Sequence, residues 1–204
     1  MKIYFTILVA LMFLTSCKEK IEQVNAPDYS ENYKYFPIKA GREWLYESTS
    51  FDNTSGRHDT FAEHAKYNDT NFRTDFYRNG QVFSNLYWAN SNNKLGCCVD
   101  VTLLDYNQIG CSSDSVLIYT NESASLKRTI HQYCAKMNPP NIPNYKDISC
   151  LKTRQVNIYS SGKMLTITQY FGFGVGLIYR EETNLDKNGK VITVDTKKLV
   201  SHNF

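Results

Sequence analysis

The sequence predicts a mainly β domain: one curved or partly closed antiparallel sheet of about nine strands, with one short helix. Three observations carry this. Aromatic residues are abundant, with 15 Tyr, 11 Phe and 2 Trp, and such side chains suit a pleated, half-buried surface. Apolar and polar residues alternate with period two over many short stretches. Turn-forming pairs and triplets punctuate those stretches, notably Asn79-Gly80, Ser160-Ser161-Gly162 and "DKNG" at 186–189.

The elements follow in order. Pro37 and Gly41 mark a turn, after which Trp44 and Tyr46 begin the first alternating run. Strands are expected at 58–67 and 72–78, the latter joined to 81–89 through Asn79-Gly80, a dipeptide that favours two-residue hairpins. Further strands are expected at 99–105 and 115–120. Over 123–137, Leu126, Ile130, Tyr133 or Cys134, and Met137 recur at helical spacing. With Ser123 as N-cap and Pro139-Pro140 as a stop, that segment is the expected helix. A Pro/Asn-rich loop covers 138–149. The C-terminal third reads as a meander over 151–159, 163–171, 175–183 and 190–200.

Ahead of the domain, Lys2 and the apolar run 3–14 precede Leu14-Thr15-Ser16-Cys17. A bilayer-spanning helix needs about 20 apolar residues, so this run reads as a secretory signal, residues 1–16. The small residues before Cys17 resemble the lipobox of bacterial lipoproteins, which implies acylation of Cys17 and attachment to a membrane. Residues 17–34 are polar and read as a flexible tether, leaving 35–204 as a single β-rich domain. The formal net charge of +3 is small and no dense Lys/Arg run occurs, so no nucleic-acid partner is expected.

Cysteine use suits an oxidising compartment. Besides Cys17, Cys97, Cys98, Cys111, Cys134 and Cys150 are disulfide candidates, enough for two bridges and one thiol. Short intervening loops favour Cys97 or Cys98 with Cys111, and Cys134 with Cys150. A zinc site on His131 and Cys134 is the competing reading, but paired C-x2-C spacings are missing, so no metal is assigned.

Chemistry is sparse. Gly172, Gly174 and Gly176 alternate in "QYFGFGVGLIYREE", but a strand-like run follows them instead of a helix, so they are no phosphate loop. They read as a structural strand stripped of side chains on one face, against which Trp44, Phe171 or Phe173 packs. No cofactor is expected. His58, His64, His131 and His202 show no metal spacing. Asp52, Asp59, Glu63, Asp69 and Asp75 are the acids from which a hydrolytic pair could be drawn. No catalytic residue is assigned. Asp114-Ser115-Val116 resembles an O-glycosylation acceptor, which makes Ser115 a modification candidate.

Two end segments carry a wider resemblance. Phe36, Pro37, Lys39, Gly41, Trp44 and Tyr46, with Gly174, Val175, Gly176, Leu177 and Ile178, resemble paired motifs of secreted lipoproteins of Bacteroidota. The segment 90–150 departs from that pattern. The resemblance implies an outer-membrane, lipid-anchored protein similar in architecture to open β-barrel lipoprotein carriers. The anchor, the aromatic excess and the all-β pattern lead to an expected non-enzymatic role, binding a hydrophobic ligand, a glycan or an envelope partner, since sheet concavities lined by aromatics make ligand pockets. The alternatives are a secreted hydrolase acting on polysaccharide or peptide, and a structural subunit of an outer-membrane complex, with the odd cysteine or an exposed sheet edge making the contact.

Overall fold

The computed structural model describes residue 39 and residues 41–204, apart from 69–72, 92–93, 98–100, 109, 111 and 141. The predicted signal and tether, Cys17, Asp69, Cys98 and Cys111 lie outside the described residues, as does the side chain of Cys97. Twelve strands are present: β1 (Glu43–Asp52), β2 (Arg57–Asn68), β3 (Arg73–Arg78), β4 (Gln81–Ser91), β5 (Lys94–Cys97), β6 (Val101–Asp105), β7 (Ser115–Glu122), β8 (Leu126–Tyr133), β9 (Cys150–Tyr159), β10 (Met164–Gly172), β11 (Gly176–Leu185) and β12 (Val191–His202).

All pairings are antiparallel, and the strand order is β6-β5-β4-β3-β2-β1-β12-β11-β10-β9-β8-β7. Two meanders are thus joined where the first strand pairs with the last. Laid flat, β6 and β8 would stand roughly 45–50 Å apart, at about 4.8 Å per strand. Instead the Gln132 side chain on β8 accepts from the Asp105 N–H at 2.8 Å and donates to the Asp105 carbonyl at 3.0 Å. The sheet therefore curls until its two edges meet. No ladder pairs β6 with β7 among the described residues, so the sheet is not closed; Gln132 and an apolar contact of Leu103, Ile130, Ile118 and Tyr119 bridge the seam.

The concave face is divided along its length. One half holds the main core, with Trp44, Tyr46, Tyr67, Leu104, Leu151, Phe171, Ile178 and Leu199. Ile142 and Tyr145, from the loop after β8, are buried in the same core. The other half is polar, as described below.

The turn signals act as their chemistry requires. Asn79 and Gly80 have φ of 52° and 77°, both left-handed, as a two-residue hairpin with right-handed twist demands. Asp186 accepts from the N–H groups of Asn188 and Lys190 at 2.8 and 2.9 Å, which holds the β11–β12 turn.

Three expectations are corrected. The segment read as a helix is strand β8, and the helical content among the described residues is a single 3-10 turn, Tyr106–Gln108. Its inward positions run Ile130, Gln132, Cys134, all buried; a glutamine at the middle one breaks the apolar alternation and leaves helical spacing as the visible pattern. The sheet has twelve strands rather than about nine, β5 and β8 being the ones not read as strands. The glycine run is a hairpin turn, not a continuous strand. Gly172 ends β10 opposite Gly176, which opens β11, and Gly174 and Gly176 take φ of 71° and 102°. At Gly172 the reason is space, because a Cβ would collide with Ile178 Cδ1 and lie 3.0 Å from Ile148 Cγ2.

The two end motifs meet at this turn. Trp44 Nε1 donates to the Val175 carbonyl at 2.7 Å and the Tyr46 hydroxyl to the Leu177 carbonyl at 3.0 Å, each across 131 residues. The C-terminus reinforces the joint: Asn203 bonds Glu43 N and Gly41 O, and Phe204 stacks edge-on to Trp44 at 5.5 Å.

His202 lies in this joint, 4.5 Å from the Phe204 ring centroid. Burial, with the Arg42 guanidinium nearby, holds its pKa below the ordinary value. The unfolded chain therefore binds a proton first as pH falls, so the stability contributed by neutral His202 is present above about pH 6.5 and lost below it. Thermal melts of the parent chain and His202→Gln are expected to show a Tm gap that moves in the variant's favour from about pH 7.5 to about 5.5. A gap independent of pH would mean that His202 titrates normally.

Candidate functional site

Beyond the apolar half, the concave face opens into a cavity of about 460 Å³ formed by β1, β2, β3, β11 and β12. Strand alternation puts its side chains there: the positions after Trp44 and Tyr46 on the same face of β1 are Ser48 and Ser50. The register then sets two rows across the sheet. In the first, Phe61 on β2 faces Ser48, Ser48 faces Lys197, and Lys197 faces Arg180. In the second, Asp59 faces Ser50, Ser50 faces Asp195, and Asp195 faces Glu182. The polar character continues beyond the cavity through buried Gln169, Thr153 and Gln132, register partners in turn.

The floor is an ion network. Glu63, 3% exposed, meets Arg78 at 2.8 Å and Lys197 at 2.5 Å. Burial lowers the Lys197 pKa, and Glu63 opposes that shift. Lys197 also sits 4.4 Å from the Phe76 ring centroid, and the Arg78 guanidinium lies against Phe61 and Phe83 at 3.4 and 4.5 Å. At the rim Arg180 pairs with Glu182 at 2.5 Å and Arg57 with Asp59 at 2.7 Å.

Several groups lining the cavity lack a hydrogen-bond partner among the described residues, the buried Nε of Arg78 among them. Ser48 lines the cavity and is 3% exposed, and its buried hydroxyl has no hydrogen-bond partner. Asp195 lines the same cavity and forms no ion pair among the described residues. Buried polar atoms are normally satisfied, so an orphaned hydroxyl on a residue lining the cavity has the chemistry of a group awaiting a partner.

The acids read from the sequence separate. Asp59 and Glu63 share the inner face of β2, about 13 Å apart at 3.3 Å per residue. Asp75 is held by Arg73 at 2.6 Å, and Asp52 accepts from Thr54 N at 2.7 Å in the β1–β2 turn. They form no pair. Glu182 and Asp195, not singled out from the sequence, are register partners inside the cavity. The histidines are dispersed: His58 and His64 are exposed, His64 pairs with Glu43 at 3.1 Å, and His131 lies on the face of β8 opposite Ile130 and Gln132. Among the described residues no three His, Cys, Asp or Glu side chains converge as a metal site.

Of the disulfide candidates, Cys150 is a free, buried thiol whose pKa is pushed up to about 12 by burial. The Cys134–Cys150 bridge is therefore not formed, although Met137, just beyond Cys134, forms an isolated bridge with Cys150. Cys134 is disulfide-bonded, with a partner outside the described side chains. Ser115 opens β7, half-buried, and its carbonyl accepts from the Ser113 hydroxyl at 3.1 Å. No protein-family model matches the chain, and no curated protein matches it in sequence.

Proposed function

We propose that this chain is a lipid-anchored, non-enzymatic cell-envelope protein that binds a small polar ligand in the cavity of its curled sheet. The observation that carries this is the buried, unpartnered hydroxyl of Ser48, a residue that lines a cavity of about 460 Å³, a volume within the roughly 300–1,000 Å³ of small-molecule sites. The lining favours a polar ligand over the hydrophobic one that the aromatic composition suggested. The anchor at Cys17 rests on the lipobox-like sequence.

The test is mass spectrometry of the full chain, expressed in a bacterium and purified in mild detergent. Excess mass retained under native conditions and lost on denaturation is expected, and Cys17→Ala is expected to abolish incorporation of a palmitate analogue. A bare native mass, together with labelling that persists in the variant, would overturn both parts.

The hydrolase reading draws support from Glu182 facing Asp195, since directly opposed strand residues have Cβ atoms about 5 Å apart. Glu182 is engaged by Arg180, which leaves Asp195 as a single uncommitted acid. The assembly reading relied on an exposed sheet edge or a spare thiol. The edges turn toward each other at the seam, and Cys150 is buried.

A further inference from the structure

We infer that the cavity takes a neutral, polyhydroxylated ligand, a carbohydrate, in preference to an apolar or net-charged one; this rests on the proposed reading of the cavity as a ligand site. The argument begins with charge. Glu63 is neutralised by Arg78 and Lys197, Glu182 by Arg180, and Asp59 by Arg57, so donors and acceptors of both signs alternate over a lining with little net charge. An anion would enter against Asp195, and a cation would meet Lys197 and Arg180 in the adjacent row.

An apolar ligand fares worse. It would strip water from the Asp195 carboxylate and return no hydrogen bond to it or to the Ser48 hydroxyl, at the desolvation cost of the carboxylate. A sugar hydroxyl is donor and acceptor at once, and adjacent hydroxyls on a ring present that pair at fixed spacing. Ser48 and Ser50, two residues apart on one face of β1, lie about 6.6 Å apart. They are flanked by the carboxylate of Asp195 and the guanidinium of Arg180 one and two strands away. Each can engage a separate hydroxyl, and the carboxylate of Asp195 then has hydrogen-bond donors in place of water. The buried Ser48 hydroxyl is the strongest discriminator, because a site built around a buried polar group rejects ligands that cannot hydrogen-bond it.

The experiment is calorimetric titration of the full chain in a detergent without a sugar headgroup. The probes are maltose, cellobiose, mannobiose and N,N′-diacetylchitobiose, set against laurate, spermidine and sulfate. At least one disaccharide is expected to bind. Asp195→Asn and Ser48→Ala are each expected to weaken that binding about tenfold, with parental thermal melts as the control for folding. Disaccharide binding indifferent to both substitutions would overturn the assignment. Binding of laurate, spermidine or sulfate alone, weakened by the same substitutions, would overturn the carbohydrate class and leave the cavity as a ligand site. If no probe binds and the native mass is bare, both readings fall.

Discussion

Trp44→Ala is expected to destabilise the domain by about 3–5 kcal/mol, the range for truncating a buried aromatic side chain. Trp44 is 1% exposed and lies in the main core. Its loss leaves a cavity between β1 and the β10–β11 turn and also orphans the Val175 carbonyl, which accepts from the indole at 2.7 Å. Against a typical domain stability of about 5–15 kcal/mol, that is enough to leave a substantial unfolded fraction. Trp44→Phe keeps most of the ring and removes the donor, so a smaller loss of about 1–2 kcal/mol is expected. Urea unfolding of the full chain measures both. A Trp44→Ala midpoint within error of the parent's would mean that the two ends of the sequence are not joined through this residue.

Glu63→Gln is expected to cost about 3 kcal/mol or more, because it leaves a buried ammonium uncompensated. The Lys197 side chain is 19% exposed and depends on Glu63 for its counter-charge, as does Arg78. Replacing Lys197 as well removes the stranded charge. The double variant Glu63→Gln/Lys197→Met is therefore expected to recover much of the loss, giving a coupling energy of about 1–3 kcal/mol between the two sites. Additive single effects would show that the network is not a unit. The same cycle bears on the cavity, since Lys197 and Glu63 form its floor, and a stable double variant would separate their structural role from ligand binding.

The sheet class and the C-terminal meander were legible because their signals are local. Asn79-Gly80 and Asp186 through Gly189 encode turns in their own backbone preferences, and the flanking alternation sets which side chains share a face. Where an inward position is polar the local signal fails. Gln132 hides β8, and its burial makes sense only beside Asp105 on a strand remote in sheet order. The glycine run was legible as structural and unlike a phosphate loop, yet the crowding at Gly172 by Ile178 and Ile148 comes from tertiary packing.

The candidate site was less legible still. Ser48, Glu182, Asp195 and Lys197 look in sequence like ordinary polar residues of half-buried strands. They converge because β1 pairs with β12 in the register Ser48↔Lys197 and Ser50↔Asp195, bringing together residues from the two ends of the domain. By itself the sequence determined the strand chemistry, the turns and the alternation that gives the sheet one buried face, since these depend on neighbours a few residues apart. Only the tertiary structure decided that the sheet curls until its edges meet and that half of its concave face is polar. Both depend on long-range register, and a shift of one residue there would turn every side chain of a strand to the opposite face.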